Sequence, residues 1–314
     1  MRRYITLDGG TTNTRLSLVV DGEIAETVKI AMGARACIDD ASALRTAIKE
    51  AIEGLLASHA LLDRDVERIL ASGMITCEFG LCHLPHVEAP AGVRELHESM
   101  HEVVLEDISS IPFVFIRGVK TIGATIDGTD MMRGEEAELM GLLKENAPPT
   151  LYVLPGSHSK LVEVDCEGRI TKFSTMLTGE MIAALSQGTI LRDAVDLSVD
   201  SFDIESLLDG YRYAFKMGIN KALFKVRILK NLYSASPVAL YSFFLGVVLT
   251  DEINAILSSR PRRIVIGGKS QIKHAMAALL QAQTDSREVI TVSDADVDAS
   301  SARGVIRIYE FSKQ

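Results

Sequence analysis

The apolar pattern of the first 73 residues predicts three strands, a helix and a fourth strand. Apolar and β-branched residues run from 4 to 20 with one polar, glycine-containing interruption, and a third strand is predicted at 23–30. Leucine and isoleucine then recur at helical spacing over 42–59. A short apolar run at 68–72 predicts a buried strand ending at a glycine. This order of elements is typical of the first half of an α/β layer.

The same pattern of a strand, a polar turn and two further strands returns in the second half of the chain. It occupies residues 150–176 and indicates an internal duplication of architecture. The expected elements beyond it are a helix from Thr178, a helical region at 203–258, a strand at 262–266, a helix at 271–281, a strand at 288–292 and a helix at 297–311. We therefore predict two α/β domains, residues 1–128 and 129–314.

The polar turn of the first hairpin has the composition of a phosphate-binding turn. Asp8 ends the first strand, and glycines there allow close approach of the backbone to a ligand. Successive backbone N–H groups in such a turn form an anion-binding concavity, and a carboxylate beside phosphates usually holds hydrated Mg²⁺. An ordinary hairpin with a Gly-Gly turn has the same pattern. The candidate phosphate ligands are Gly10, Thr11, Thr12 and Asn13.

Two later turns carry similar chemistry. The second hairpin turn follows Pro155 and comprises Gly156, Ser157, His158, Ser159 and Lys160. His158 alone is typical of a structural histidine, but beside Lys160 it becomes a candidate phosphate contact. The other turn, Gly267, Gly268 and Ser270, joins a β-branched strand to a helix, where a flat ring or a phosphate can approach the helix N-terminus. A tight strand–helix turn explains this last pattern equally well.

A loop rich in Gly, Asp and Thr leads into a helix whose first turn is acidic. The acids Glu135 and Glu136 fit the positive end of the helix macrodipole, but this does not explain Arg133 before them. A guanidinium can bind a carboxylate with two donors, and a carboxylate such as Asp130 can accept a hydroxyl proton. The cluster therefore predicts binding of an acidic, hydroxylated substrate.

Two motifs resemble metal sites. The ligands Cys77, Cys82, His83 and His86 fit no common structural zinc spacing. The second motif, His-Glu-x-x-His at 97–101, lies in a segment whose apolar positions predict a helix over 93–104. It lacks the continuation with a third ligand that marks one zinc peptidase class. We favour a structural role for both motifs.

Composition limits the classes of partner. Of the 314 residues 47% are hydrophobic and 24% charged, as in ordinary globular proteins, and the net charge of −9 argues against a nucleic-acid partner. The longest apolar segment, 238–257, contains Asp251, Glu252 and Asn254, so we expect a buried helix and no membrane span. Four cysteines and the absence of an apolar leader before Tyr4 predict a cytoplasmic protein.

Taken together, these motifs resemble the superfamily of sugar kinases, Hsp70 and actin, in which two duplicated ribonuclease H-like α/β domains bind ATP in the cleft between them. Within it the chain is similar to the 2-dehydro-3-deoxygalactonokinases over nearly its whole length. The motifs that carry this likeness are Gly73-Met74-Ile75, Met132-Arg133-Gly134-Glu135-Glu136, Pro155 to Lys160 and Thr178-Gly179-Glu180. The family often has tryptophan at the positions of Gly9 and of the loop 78–81, and this chain contains no tryptophan. These differences concern the sugar pocket.

The resemblance implies phosphoryl transfer from Mg·ATP to the 6-hydroxyl of a six-carbon 2-keto-3-deoxy sugar acid, in D-galactonate catabolism. It implies that Asp8 binds Mg²⁺, that both polar hairpin turns bind the phosphates and that Gly267, Gly268 and Ser270 line the adenosine. Asp130 is the expected general base with Glu135 in reserve, and the expected substrate contacts are Gly73, Met74, Ile75, Arg133, Glu136, Thr178 and Glu180. Alternatives are a kinase of this fold for another sugar acid or polyol, and a non-metabolic actin-type ATPase. A homodimer is also considered.

Overall fold

A computed structural model describes residues 1–38, 41–269, 271–283 and 286–313. The chain divides into two compact units. Unit 1 comprises residues 1–147, 165–172 and 295–314, and unit 2 comprises 148–164 and 173–294. The domain boundary predicted after residue 128 stays a prediction.

In the described residues the first half of the chain is rich in strands and the second half is rich in helices. The strands are β1 (Arg3–Gly9), β2 (Thr14–Val20), β3 (Glu23–Ile30), β4 (Arg68–Gly73), β5 (Val87–Glu88), β6 (His101–Val103), β7 (Phe113–Phe115), β8 (Val119–Thr121), β9 (Asp130–Met132), β10 (Thr150–Leu154), β11 (Ser159–Val164), β12 (Ile170–Met176), β13 (Arg263–Ile266) and β14 (Glu288–Thr291). The α-helices are α1 (Ala41–Ser58), α2 (Val93–Glu98), α3 (Glu135–Leu142), α4 (Thr178–Gly188), α5 (Ile204–Met217), α6 (Ile219–Tyr233), α7 (Pro237–Val248), α8 (Thr250–Ser258), α9 (Gln271–Ala282) and α10 (Asp294–Tyr309).

The two large sheets share one topology. Their orders are β3-β2-β1-β4-β7-β6 and β12-β11-β10-β13-β14. In each, the first strand of a hairpin pairs antiparallel with the second and parallel with a strand that follows a helical segment: β1 with β2 and β4, and β10 with β11 and β13. The duplication predicted from the sequence is therefore confirmed at the level of architecture.

Each unit has its own apolar core. In unit 1 the buried faces of the sheet pack against α1 through four fully buried side chains, Leu44, Ile48, Ile52 and Leu55. In unit 2 the centre is α7, all of whose residues from Leu240 to Val248 are buried. Helix α7 is apolar all round because it lies inside the core, with no face left for water.

Two predicted helices differ from the structure. The single buried helix expected over 238–257 is two helices, α7 and α8, bent by 46°. Among the described residues no single helix has the length and apolarity to cross a membrane, although α7 and α8 meet those criteria as a pair. The helix expected over 93–104 ends at Glu98 and is followed by β6, which pairs with β7.

A three-stranded sheet in unit 1, of order β5-β8-β9, was not predicted. Its strands have two or three residues each, too few for a period-2 pattern to stand out in the sequence. This sheet carries Asp130 on an edge strand and leads directly into α3. The predicted substrate loop therefore belongs to unit 1.

Candidate active site

The backbone of the first hairpin turn is hydrogen-bonded within the turn and to the segment that follows β3. The Gly10 N–H donates to the Asn13 carbonyl at 2.8 Å, while Thr11, Thr12 and Asn13 are exposed. The N–H groups of Ala34 and Arg35 donate to the carbonyls of Gly10 and Thr11 at 3.1 and 3.0 Å. The turn therefore presents hydroxyl and amide side chains outward, on a backbone whose carbonyls are held by the segment after β3.

Gly33 makes this bracing possible, and the sequence analysis missed it. A Cβ atom there would lie 2.4 Å from the Gly10 carbonyl oxygen. Only glycine permits such close approach of two backbones. A lone glycine eight residues before α1 carries no local signal of this contact.

Three glycines from distant parts of the chain meet beside the turn. Gly9 and Gly73 are register partners at the carboxyl ends of the parallel strands β1 and β4. Gly73 has φ +86°, and a Cβ there would lie 2.3 Å from the Gly9 carbonyl oxygen. Gly134, with φ +112°, would place a Cβ 3.3 Å from the Gly73 Cα. The start of α3 thus lies against the ends of β1 and β4.

This convergence gathers four acids, Asp8, Glu135, Glu136 and Glu138, which we call the acid cluster. Burial raises the pKa of Asp8, Arg15 opposes the rise, and Glu135 adds to it. Burial, followed by Asp8 and Glu135, raises the pKa of Glu138 to about 7. The acid cluster therefore carries an excess of negative potential, which a bound cation would offset.

Glu136 is fully buried and stabilises the turn before α3. The Gly134 N–H donates to both of its carboxylate oxygens, at 2.9 and 2.8 Å. Burial, followed by the charge of Glu135, raises its pKa to about 8. These contacts favour a structural role for Glu136, and its predicted contact with substrate stays a prediction.

Arg133 ties the loop after β4 to the start of α3. Its Nη1 donates to the Thr76 carbonyl at 2.8 Å and to the Thr76 hydroxyl, and its Nη2 donates to the Leu84 carbonyl at 3.1 Å. Nη2 also lies 3.3 Å from His86 Nδ1. Most of the guanidinium donors are therefore engaged by the protein, and the predicted clamp on a substrate carboxylate stays a prediction.

The other predicted contacts after β4 differ in accessibility. Met74 is half-buried, whereas Ile75 is completely buried in the core of unit 1 and lies against Gly9. Asp130 is half-buried on β9, and its Oδ1 accepts from the Met131 N–H at 2.7 Å. Glu135 adds to the raised pKa of Asp8, which places its charge near that carboxylate.

The second hairpin turn, in unit 2, is packed against the start of α4. A Cβ at Gly179 would lie 2.4 Å from the Gly156 carbonyl oxygen, and the Glu180 N–H donates to the Ser157 carbonyl at 3.2 Å. His158 Nε2 lies 3.0 Å from Glu180 Oε1. Residues predicted for phosphate and for sugar binding therefore form one cluster here.

The turn after β13 joins this cluster. The Gly267 N–H donates to the Val153 carbonyl at 2.8 Å, and Gly268, with φ +75°, lies against Pro155. Ser270, the third residue predicted to line the adenosine, lies outside the described residues. The carboxyl ends of the parallel strands β10 and β13 thus meet, as do those of β1 and β4 in unit 1.

A buried carboxyl group, Glu252 on α8, lies beneath the second turn. The Thr178 hydroxyl donates to Glu252 Oε2 at 2.5 Å. Ser159 is also fully buried, and its hydroxyl lowers the pKa of Glu252. Among the described residues, however, this hydroxyl makes no hydrogen bond of ordinary geometry. Lys160 is buried as well. Burial dominates and raises the pKa of Glu252 to about 7.

This burial predicts a pH-dependent cost to stability. The pKa of Glu252 is raised from 4.5 to about 7, so its ionisation opposes folding and stability falls as pH rises from below 4.5 to above 7. The fully developed cost is about 3 kcal/mol. Glu252→Gln keeps an acceptor for Thr178 and cannot ionise. We expect the free energy of unfolding of Glu252→Gln, relative to that of the unsubstituted protein, to be higher at pH 8 than at pH 5. Urea unfolding at both pH values measures it.

Glu205→Gln is the matched control, because Glu205 is an exposed acid on α5 of the same unit. The difference in free energy of unfolding between Glu205→Gln and the unsubstituted protein should be the same at pH 5 and pH 8. The prediction is contradicted if the difference in free energy of unfolding between Glu252→Gln and the unsubstituted protein is the same at pH 5 and pH 8.

The histidines of the zinc-like motif lie on different elements. His97 is on α2, and its Nδ1 lies 2.8 Å from the Ile308 carbonyl. His101 is exposed at the start of β6. The helix that would place both imidazoles on one face ends between them, so the motif lacks the geometry of a zinc peptidase.

Comparisons with known proteins identify the family of the chain. The family model for 2-keto-3-deoxy-galactonokinase matches residues 8–308. The chain belongs to this family. A 2-dehydro-3-deoxygalactonokinase of Escherichia coli (strain K12) is 25% identical over 258 residues, which cover 82% of this chain and 76% of that one. A relative of similar name in Rhizobium meliloti (strain 1021) is 29% identical over 198 residues, 61% of this chain and 59% of the relative.

Solved structures support the fold. A Sinorhizobium meliloti protein titled as a 2-dehydro-3-deoxygalactonokinase has a TM-score of 0.79 at 22% identity, covering 98% of this chain and 99% of that chain. Component A of (R)-2-hydroxyglutaryl-CoA dehydratase from Acidaminococcus fermentans has a TM-score of 0.55 at 14% identity over both whole chains. The fold is that of the actin-like kinases and ATPases. As a family member the protein is a carbohydrate kinase, which implies a small sugar substrate and the use of ATP.

Proposed function

We propose that the protein transfers the γ-phosphoryl group of ATP to the 6-hydroxyl of 2-dehydro-3-deoxy-D-galactonate, a step of D-galactonate catabolism. The observation that carries the proposal is the convergence of Asp8 and Glu135 beside the exposed turn 10–13. This places a carboxylate of α3 next to the turn predicted to bind phosphate. Family membership over residues 8–308 supplies the sugar-acid class.

In this proposal the polar turns bind ATP. Phosphoryl transfer requires little covalent chemistry from the protein, so positioning and neutralisation of charge dominate. The side chains of Thr11, Thr12 and Asn13 are exposed and available to phosphate oxygens, whereas the Gly10 N–H is already bonded to Asn13. In unit 2 the exposed residues of the turn are Gly156, Ser157 and His158, and the close packing of Gly268 on Pro155 leaves a backbone surface suited to a flat ring.

Mg²⁺ fits the donor chemistry beside the first turn. Asp8 supplies a carboxylate, and the negative potential of the acid cluster favours a divalent cation there. Mg²⁺ bound by Asp8 would neutralise charge on the phosphates. The chain's own contribution is to hold the Asp8 carboxylate at the end of β1, next to Arg15 on β2.

For the general base we propose Glu135 in preference to Asp130. Glu135 acts on Asp8 electrostatically, and its Oε2 accepts from the Arg133 N–H at 3.0 Å, which orients the carboxylate. Such a group can take the proton of the attacking sugar hydroxyl. Asp130 on β9 would then contribute to binding the sugar. Cytoplasmic location belongs to the proposal because ATP is the donor, and the homodimer stays a prediction.

The decisive experiment is ADP release, measured with a coupled assay in Mg·ATP. The acceptors are 2-dehydro-3-deoxygalactonate, its gluconate epimer and neutral hexoses. The proposal expects turnover with the galactonate form far above that with the others. Turnover with another acceptor only would indicate a kinase of the same fold with a different pocket. ATP hydrolysis that no acceptor stimulates would favour the actin-type ATPase.

A further inference from the structure

Unit 1 contains a group of basic side chains around Arg133, the one member that was predicted above to contact substrate. They are His83, His86, Arg117, Lys120 and Arg133, here called the basic cluster. His83 and His86 lie on the loop after β4, and Arg117 and Lys120 lie at the start of β8. The two segments touch, because the Val87 N–H donates to the Gly118 carbonyl at 2.8 Å and Gly118 packs against the His86 ring.

Two of these cations are half-buried and have no hydrogen-bond acceptor or ion-pair partner among the described residues, although the charge of Arg117 lies near the Cys82 thiol. Lys120 forms no hydrogen bond through its ammonium group and no ion pair there, even with its register neighbour Glu88 on β5. Arg117 likewise has no side-chain acceptor, and its Nε is fully buried. Burying part of a charge without an acceptor costs free energy, so such groups usually belong to a binding site.

The rest of the basic cluster reinforces the positive potential. His86 lies 3.3 Å from Arg133 Nη2. Burial, followed by the charges of Arg133, Lys120 and His83, lowers the pKa of His86 to about 4. No carboxylate among the described residues opposes this shift. Arg133 itself is committed to Thr76 and Leu84, which leaves Lys120 and Arg117 as the groups able to take a ligand.

We propose that Lys120 and Arg117 bind the carboxylate of the sugar-acid substrate, with Arg133 holding the loop that completes the pocket. The inference rests on the proposed function, because it concerns the acceptor of the same reaction. An ionised carboxylate only accepts hydrogen bonds, so a surface of donors without acceptors matches it. The proposal places the carboxylate clamp on these neighbouring cations, as an alternative to the clamp predicted at Arg133.

The test compares charge on the protein with charge on the acceptor. Lys120→Met removes the ammonium group and keeps the length of the stem, and Lys29→Met removes an exposed lysine from β3 of the same unit as a control. The acceptors are 2-dehydro-3-deoxygalactonate and the neutral analogue in which hydroxymethyl replaces the C1 carboxylate. We expect Lys120→Met to raise KM for the acid about tenfold to a hundredfold with kcat kept. KM for the neutral analogue should not change, and Lys29→Met should resemble the unsubstituted protein.

The inference is wrong if Lys120→Met affects both acceptors equally or neither. Arg117→Met should give the same selective loss. Because its buried Nε makes misfolding a concern, the unsubstituted protein supplies an independent measure: it must discriminate against the neutral analogue. If it accepts acid and analogue equally well, carboxylate recognition is absent whatever the variants do.

A thermal-shift measurement separates this inference from the proposed function. Without ligand, Lys120→Met should unfold at the same or a higher temperature, because an unpaired half-buried charge is gone. The sugar acid should raise the Tm of the unsubstituted protein and of Lys29→Met, but much less that of Lys120→Met. If this pattern appears without any acceptor-dependent ADP release, the carboxylate site stands and the kinase proposal fails. If the acid is turned over and the Tm shift is equal in all three proteins, the carboxylate site is wrong and the kinase proposal stands.

Discussion

Replacing Glu135 by glutamine is expected to lower kcat by about 10²–10⁴-fold, the usual contribution of a general base. The amide keeps an oxygen that can accept from the Arg133 N–H, so the start of α3 should be undisturbed. It cannot take a proton from the sugar hydroxyl. The Asp8 carboxylate and the turn 10–13 are unchanged, so KM for Mg·ATP should rise only slightly through the loss of one negative charge near Asp8. Steady-state ADP release at saturating acceptor measures both quantities.

Two variants show whether the loss follows from proton transfer. Glu138→Gln removes a charge that also lies close to Asp8, and it should keep most of kcat. Asp130→Asn should lose less of kcat than Glu135→Gln, since Asp130 is proposed to bind the sugar and Glu135 to take its proton. A larger loss in Asp130→Asn would restore the base first expected from the sequence. Equal losses in Glu135→Gln and Glu138→Gln would show that charge alone is responsible.

The fold was predictable because its signal is repeated and periodic. β3 occupies the residues expected, β4 ends at the expected Gly73, and α1 lies within one residue of its predicted bounds. In each half, a polar turn between two apolar strands fixes a hairpin locally. The matching sheet orders follow from these hairpins and the helical segments after them. Such patterns survive in one sequence because they depend on neighbours along the chain.

The errors arose where tertiary contacts override a local pattern. Met100 and Val103 continue the helical apolar pattern of α2, but residues 101–103 pair with β7 as an added edge strand. The apolar run of α7 continues into α8, yet the two helices bend by 46°. The spacing of apolar residues indicates which residues are buried, but it does not indicate which element they pack against. Neither the edge strand nor the bend between the helices could therefore be predicted from it.

The candidate site was only partly predictable for a related reason. The sequence shows which residues could bind phosphate or sugar, but it does not show which of them the protein itself engages. Arg133 has the chemistry of a carboxylate clamp, and the structure commits it to Thr76 and Leu84. Glu252 was noted only as a polar interruption, and it lies beneath the second turn. Such roles depend on contacts between residues far apart in sequence.

Gly304→Ala is expected to destabilise unit 1 by about 3 kcal/mol or more, the upper range for overpacking a rigid site. A Cβ at Gly304 would lie 1.8 Å from the Ala137 carbonyl oxygen and 2.9 Å from the Gly141 N. Across the same contact, a Cβ at Gly141 would lie 1.9 Å from the Ser300 carbonyl oxygen. These atoms belong to the backbones of α3 and α10, so no side-chain rotation relieves the clash. The helices must move apart.

Gly54→Ala is the matched control, because it makes the same substitution within α1, where a Cβ meets nothing within 4 Å. It should raise stability by about 0.5–1 kcal/mol through reduced backbone entropy of the unfolded chain. The chain has no tryptophan, so circular dichroism in urea is the suitable measurement. Equal stability of the two variants would contradict the contact. Because α3 carries Glu135, any folded Gly304→Ala protein should also lose kcat, which would link this helix crossing to the position of the proposed base.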